Sequence, residues 1–262
     1  MIYKLTSYIK FLVNGKSKYN IHSPFFHELI DKVLVHDGDF YCYPAVEHVR
    51  NQMGTMNIKI QRDDLGAGSK YGGDKSKKVK TILKHSQSSP QKAQLLFRMV
   101  NYFNPTLILE LGTSFGFTTA YLANANKSSK VIGVEGDEHI YILAQKNIKS
   151  LGIKNINLIN ASFESVLPKL SKYDFNFIYF DGNHTKKATL NYFSWALEQV
   201  KENDVFIFDD IYWSKEMNEA WNNIVDHQKT TLTIDLFSIG IVFFNKNLSK
   251  ENFKLIHKAN FY

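Results

Sequence analysis

Thr106-Leu107-Ile108-Leu109-Glu110-Leu111-Gly112-Thr113-Ser114-Phe115-Gly116-Phe117-Thr118-Thr119 is the stretch on which the fold turns. A short apolar run that ends at a glycine suits a strand buried in a parallel sheet. The FTTAYLANA that follows has helical character. Strand, glycine turn and helix in succession let the backbone approach a ligand and aim helix N–H groups at an anion.

Downstream the pattern is regular. Strand KVIGVE, helix HIYILAQKNIKSL, strand NINLIN, a short helix near FESVLPKL, strand FNFIYFD, helix KKATLNYFSWALEQV and strand DVFIFDD succeed one another. Strands alternating with helices predict a doubly wound, Rossmann-like α/β sheet, mostly parallel and covered on both faces. TTLTIDLF and GIVFFN are separated only by Ser238 and Ile239, too little chain for a crossover. Those two runs are therefore predicted antiparallel. SKENFKLIHKA reads as a closing helix.

Upstream, Ser89 and Pro90 are the start signal of a helix, QKAQLLFRMVNYF. The regular pattern begins there, so the chain divides near residue 88. Within residues 1–88, Ser23-Pro24 opens a second helical segment. Ile2, Leu5, Ile9, Leu12 and Val13 recur at helical spacing, an apolar face expected to pack on the body of the protein. Peripheral membrane contact is the less favoured reading of that helix. Residues 62–80, RDDLGAGSKYGGDKSKKVK, hold four glycines and five lysines and read as a lid or surface loop. Asp64–Ser69 looks like a fragment of a nucleotide loop, but no buried strand precedes it.

Composition bounds the class. Of 262 residues 44% are hydrophobic and 22% charged, which excludes a disordered chain or a collagen-like fibre. One cysteine, Cys42, rules out an internal disulfide and fits a reducing compartment. No run approaches the roughly 18 uninterrupted apolar residues that span a bilayer. The expectation is a soluble, cytoplasmic protein. The net charge of +7 favours acidic partners weakly.

Glu135 ends the strand after the glycine turn, where an acid can accept both hydroxyls of a ribose. These features alone would serve any adenosine cofactor. Two details discriminate. The glycines are not spaced G-x-G-x-x-G, and Glu110 lies two residues before the first of them. A carboxylate there would oppose a pyrophosphate by about 1–4 kcal/mol, depending on local dielectric. It would favour a cationic ammonium, as in S-adenosylmethionine.

With Glu110, Gly112, Gly116 and Thr118 forming E-x-G-x-x-x-G-x-T, the run from Ser89 to about Asn245 resembles the class I S-adenosylmethionine-dependent methyltransferases. It is most similar to the O-methyltransferase branch with the catechol and caffeoyl-CoA enzymes. The resemblance implies a seven-stranded sheet with the last strand antiparallel. It makes residues 89–262 the methyltransferase domain and residues 1–88 an N-terminal helical extension with a lid loop. It implies that Glu110 binds the methionine amine, Thr118 the carboxylate and Glu135 the ribose, and that Ala161, Ser162 and Phe163 flank the adenine. Thr113, Ser114, Gly136 and Asp181 complete the cofactor set.

Two further strands end in acids, Asp181 with His184 three residues on, and Asp209 with Asp210. Like charges at strand termini are hard to explain by stability alone. In the family, acids at these positions hold a divalent metal, which implies Asp181, Asp209 and Asp210 as ligands of Mg²⁺, Ca²⁺ or Mn²⁺. His184 stands where the catechol enzyme has a lysine, and an imidazole can itself act as general base near neutral pH. His184 with Asp181 is the candidate catalytic pair. Helix capping by these acids, and a core role for Tyr212 and Trp213, are the competing readings.

The function implied is O-methylation of a small-molecule hydroxyl. An RNA or protein substrate is a rival, although no N-P-P-Y-type tetrapeptide follows the fourth strand. A nicotinamide-dependent oxidoreductase and a non-catalytic adenosine-ligand sensor are rivals of other classes. Acceptor and oligomeric state, a homodimer being one option, are not legible in the sequence.

Overall fold

Strand and helix alternate from Ser89 onward as the switching apolar period requires, and the elements before it are short. The computed structural model describes residues 2–16, 23–36, 38–61, 76–85 and 88–256. In chain order these form α1 (Ile2–Asn14), α2 (Pro24–Leu29, continued by a π-helical turn over Ile30–Leu34), α3 (Tyr43–Thr55), β1 (Lys59–Gln61), β2 (Ser76–Lys78), α4 (Val79–His85), α5 (Pro90–Phe103), β3 (Leu107–Leu111) and α6 (Phe117–Ala125). There follow β4 (Lys130–Glu135), α7 (Glu138–Ser150), β5 (Ile156–Asn160), α8 (Phe163–Leu170), β6 (Phe177–Phe180), α9 (Lys186–Leu197), β7 (Val205–Asp209), α10 (Lys215–Asp226), β8 (Leu232–Asp235), β9 (Ile239–Phe243) and β10 (Glu251–Lys254). They fall into two units, Asp37–Tyr173, and Met1–His36 together with Asp174–Tyr262.

In the unit Asp37–Tyr173, β3 pairs with β4 and β4 with β5, all parallel. Helix α6 has no polar face and is correspondingly buried over Phe117–Ala123. Helices α3, α5 and α7 pack on it. Ser89 caps α5, its hydroxyl accepting from the Lys92 N–H at 3.2 Å. The core here gathers Val46, Met53, Phe97, Phe115, Phe117 and Tyr121. Each such side chain contributes roughly 1.5–3 kcal/mol on burial.

In the other unit, β6 and β7 are parallel, and β9 runs antiparallel to both β7 and β8. The antiparallel closing pair follows from its three-residue connection, in which Phe237 takes φ +66°. The whole is an α/β fold with a mostly parallel sheet, as the alternation predicts.

Three expectations are corrected. The closing segment is a strand: β10 pairs parallel with β8, so eight strands replace seven in β3–β10. Pairing satisfies the backbone of β8, an edge it would otherwise leave open, and Phe253 stacks on Phe26 at 4.7 Å. The apolar face of α1 does not pack on the body. Ile2, Leu5, Ile9, Leu12 and Val13 are exposed, and the helix instead buries Ser7 and Phe11. Aromatic contacts decide this: Tyr8 and Phe11 meet Phe237 edge-on, and Phe11 also meets Tyr212. The loop expected over 62–80 ends early. Ser76–Lys78 pairs antiparallel with β1, and Val79 opens α4. Residues 62–75, including the Asp64–Ser69 fragment, lie outside the described residues. Helix α10 stands where no element was expected, although Met217, Ala220, Trp221 and Ile224 recur at helical spacing and form its buried face.

Candidate functional site

Strand β3 carries Glu110 to its penultimate position, wholly buried. Its Oε2 accepts hydrogen bonds from the Thr113 hydroxyl at 3.3 Å and from the Thr119 hydroxyl. Its Oε1 has no hydrogen-bond partner among the described residues. Burial pushes its pKa up to about 8; the two threonine hydroxyls oppose the shift and the Glu135 charge adds to it. Desolvation wins because two neutral donors replace only part of the water a carboxylate loses.

Beyond Glu110 the chain bends sharply. Gly112, Ser114 and Gly116 take φ of +103°, +47° and +81°. The N–H groups of Gly112 and Thr113 both donate to the Val134 carbonyl, at 3.0 and 3.1 Å. Ser114 is the strained member, since left-handed backbone is uncommon for a residue with a Cβ. Its N–H donates to Glu135 Oε2 at 2.8 Å, and the Asp137 N–H donates to Glu135 Oε1 at 2.9 Å. Glu135 thus ties the turn to the end of β4. Two backbone donors do not by themselves exhaust the roughly four lone-pair sites of a carboxylate. Gly133 lets the turn press against β4: a Cβ there would stand 2.5 Å from Thr113 Oγ1 and 2.9 Å from Leu158.

Gly116 caps α6 with no side-chain hydrogen bond, leaving first-turn N–H groups without intrahelical acceptors. Thr118 sits in that turn, nearly buried. On the neighbouring strand, Asn160 donates to the carbonyls of Glu135 and Gly136 at 2.8 and 3.2 Å, and the Ala161 N–H donates to the Glu135 carbonyl at 3.2 Å. Ser162 caps α8 by accepting from the Ser165 N–H at 3.3 Å, and Phe163 opens that helix. Phe115 and Phe117 are fully buried packing residues, with the Arg50 guanidinium 4.8 Å over the Phe117 ring. Within this unit, Glu110, the turn, Glu135, Gly136 and Ala161–Phe163 lie at the carboxyl ends of β3, β4 and β5. Sequence reading missed Thr119, whose hydroxyl neighbours the predicted Thr118. It also missed Asn147, which donates to the Phe115 carbonyl at 2.9 Å and holds the turn from α7.

The other unit holds the second cluster. Asp181 follows β6, and its Oδ1 lies 3.7 Å from His184 Nε2 while Oδ2 accepts from the Tyr179 hydroxyl at 3.3 Å. The His184 ring stands 6.5 Å from that of Trp213, itself half-buried. Asp209 is buried at the end of β7, and Asp210 has φ +53° with its N–H on the Ser238 carbonyl at 2.8 Å. None of these acids caps a helix. Thr185 caps α9 and Ser214 caps α10. Tyr212 belongs to the core, stacked on Phe237 at 4.7 Å and donating to Asp235 at 2.8 Å. Among the described residues no group of three or more His, Cys, Asp or Glu side chains is arranged to hold a metal ion. Asp181, Asp209 and Asp210 therefore do not fit the divalent-metal set that the resemblance implies.

Residues 109–211 match the family model of a methyltransferase domain. The "Transmembrane O-methyltransferase homolog" of Mus musculus is 36% identical over 88 residues, 32% of this chain and 34% of that protein. The chain thus spans about a third of that relative's length. The "Catechol O-methyltransferase" of Niastella koreensis is 28% identical over 128 residues, covering 47% of this chain and 57% of that protein. The crystal structure of an O-methyltransferase from Bacillus cereus in complex with SAH superposes with a TM-score of 0.56 at 18% identity, over 83% of this chain and 96% of the other. That of TomG from Streptomyces achromogenes in complex with SAM gives 0.57 at 14% identity, over 84% and 94%. No helix among the described residues is long and apolar enough to cross a membrane. The segment that matches the methyltransferase-domain model runs from the glycine turn past the second acidic strand end, and the chain shares the fold of these O-methyltransferase structures.

Proposed function

We propose that the chain binds S-adenosylmethionine and methylates a hydroxyl oxygen of a small-molecule acceptor. The observation that carries this reading is Glu110, a buried carboxylate beside a glycine turn with one oxygen unpartnered. An unmet acceptor of that kind is costly unless a donor arrives, and an ammonium group is the strongest donor it could take. Glu110 takes the methionine amine, and Thr118 with the open N–H groups of α6 takes the carboxylate. Glu135 and Gly136 face the ribose, and Ala161, Ser162 and Phe163 flank the adenine. Gly112, Thr113, Ser114 and Gly116 shape the turn, and Asp181 completes the cofactor set. The cofactor supplies an electrophilic methyl group; the protein aligns the acceptor and removes its proton.

His184 is the base in this proposal, oriented by Asp181, which Tyr179 holds in turn. No step runs through Mg²⁺, Ca²⁺ or Mn²⁺, because the three aspartates are not gathered into a ligand set. Residues 89–262 form the methyltransferase domain, with residues 1–88 as its extension, and the setting is cytoplasmic. Titration calorimetry with S-adenosylhomocysteine tests the cofactor: saturable binding supports it, and none at hundreds of micromolar ends it. Methyl transfer to tRNA in place of phenolic, catecholic or sugar hydroxyls would move the acceptor to the nucleic-acid class.

A further inference from the structure

Helix α1 is apolar on the side that the protein leaves uncovered. At 100° per residue, Ile2, Leu5, Ile9, Leu12 and Val13 share one stripe, opposite the buried Ser7 and Phe11. Their exposures are 82, 62, 54, 38 and 78%. Five large aliphatic side chains in one stripe make an exposed patch of the kind that marks an interaction surface. The helix is nonetheless anchored. Tyr8 and Phe11 hold its inner face on Phe237, and just past its end the Lys16 N–H donates to the Lys254 carbonyl at 2.7 Å.

Charge identifies the occupant. Residues 1–27 carry Lys4, Lys10, Lys16 and Lys18 and no aspartate or glutamate, the first acid being Glu28. A second copy of this chain placed face to face would bring lysine against lysine. An anionic lipid surface accepts both features, the aliphatic stripe at the acyl boundary and Lys10, which flanks that stripe at 100° per residue, among the headgroups. We propose that α1 is an in-plane membrane anchor, docking the protein on anionic phospholipid bilayers through Ile2, Leu5, Ile9, Leu12 and Val13. Lys4 lies 5.9 Å over the Trp213 ring, which neighbours His184. The inference does not depend on the cofactor assignment.

Vesicle co-sedimentation of the full chain tests it, with phosphatidylcholine alone and with phosphatidylcholine containing phosphatidylserine. Binding to the anionic vesicles that weakens as salt rises is expected. Leu5→Gln/Ile9→Gln keeps the charge and the inner face, and should lower the partition coefficient by about tenfold or more. Lys10→Glu should lower it on anionic vesicles only. A folded parent chain, verified by circular dichroism, that binds neither vesicle overturns the proposal. So does a dimer in lipid-free sedimentation velocity that Leu5→Gln/Ile9→Gln dissociates, which would assign the stripe to a second copy.

Discussion

At the scale of the residue, Glu110 couples stability to pH. A carboxyl with a pKa raised to about 8 stays protonated in the fold at pH values where the unfolded chain has ionised. Its contribution to stability is full below the ordinary carboxylate range and is lost as pH rises toward 8. Glu110→Gln has nearly the same shape and cannot ionise. Thermal melts from pH 5 to 8 should show the variant gaining on the parent by more than about 1 kcal/mol. The same variant should bind S-adenosylhomocysteine at least about tenfold more weakly, because an amide, unlike the carboxyl, cannot give up a proton to meet the amine with a charge. A loss of affinity with a parallel pH profile would detach the cofactor role from the buried proton. His184 offers the complementary test. His184→Ala should cut turnover by about 10²–10⁴ while leaving calorimetric affinity for S-adenosylhomocysteine intact. Asp181→Asn should cut it less if Asp181 acts chiefly by orienting the ring.

At the scale of the element, the glycine turn depends on the strand beside it. Gly133 lies on β4, remote in sequence from the turn, yet a methyl group there would meet Thr113 Oγ1 and Leu158. Gly133→Ala should destabilise the protein by about 1–3 kcal/mol through overpacking. It should also weaken S-adenosylhomocysteine binding, since Thr113 would have to leave Glu110. Urea melts and calorimetry on the same preparation separate the two effects. Full affinity in a destabilised variant would show that the turn tolerates the shift. Strand β10 carries a different lesson. Its four residues lack a distinctive period, and only pairing with β8 makes them a strand, with Phe253 alone buried.

At the scale of the whole molecule, ligand binding and folding are linked. Because only the folded turn presents Glu110, the Ser114 bend and the α6 N-terminus together, S-adenosylhomocysteine should bind the native state alone. At a hundred times its dissociation constant it should add about 2.7 kcal/mol of stability. A melting temperature that does not move under those conditions would contradict a preformed site.

The sequence by itself determined the alternation of strands and helices from Ser89 to Phe243, the caps at Ser23 and Ser89, and the antiparallel pair at the end. It also placed Glu110, Glu135, Asp181 and Asp209 at strand termini. These are local matters of apolar period, turn chemistry and connection length, and local patterns carry them. Only the tertiary structure decided that α1 shows its aliphatic stripe to solvent, since the opposite face offers Tyr8 and Phe11 to Phe237 and Tyr212 and those aromatic contacts decide the helix's orientation. Tertiary structure alone also made residues 251–254 a strand, recruited Thr119 and Asn147 to the turn, and kept Asp181, Asp209 and Asp210 from forming a metal-ligand set. Each of these depends on which distant surface a side chain meets, and sequence spacing holds no record of that.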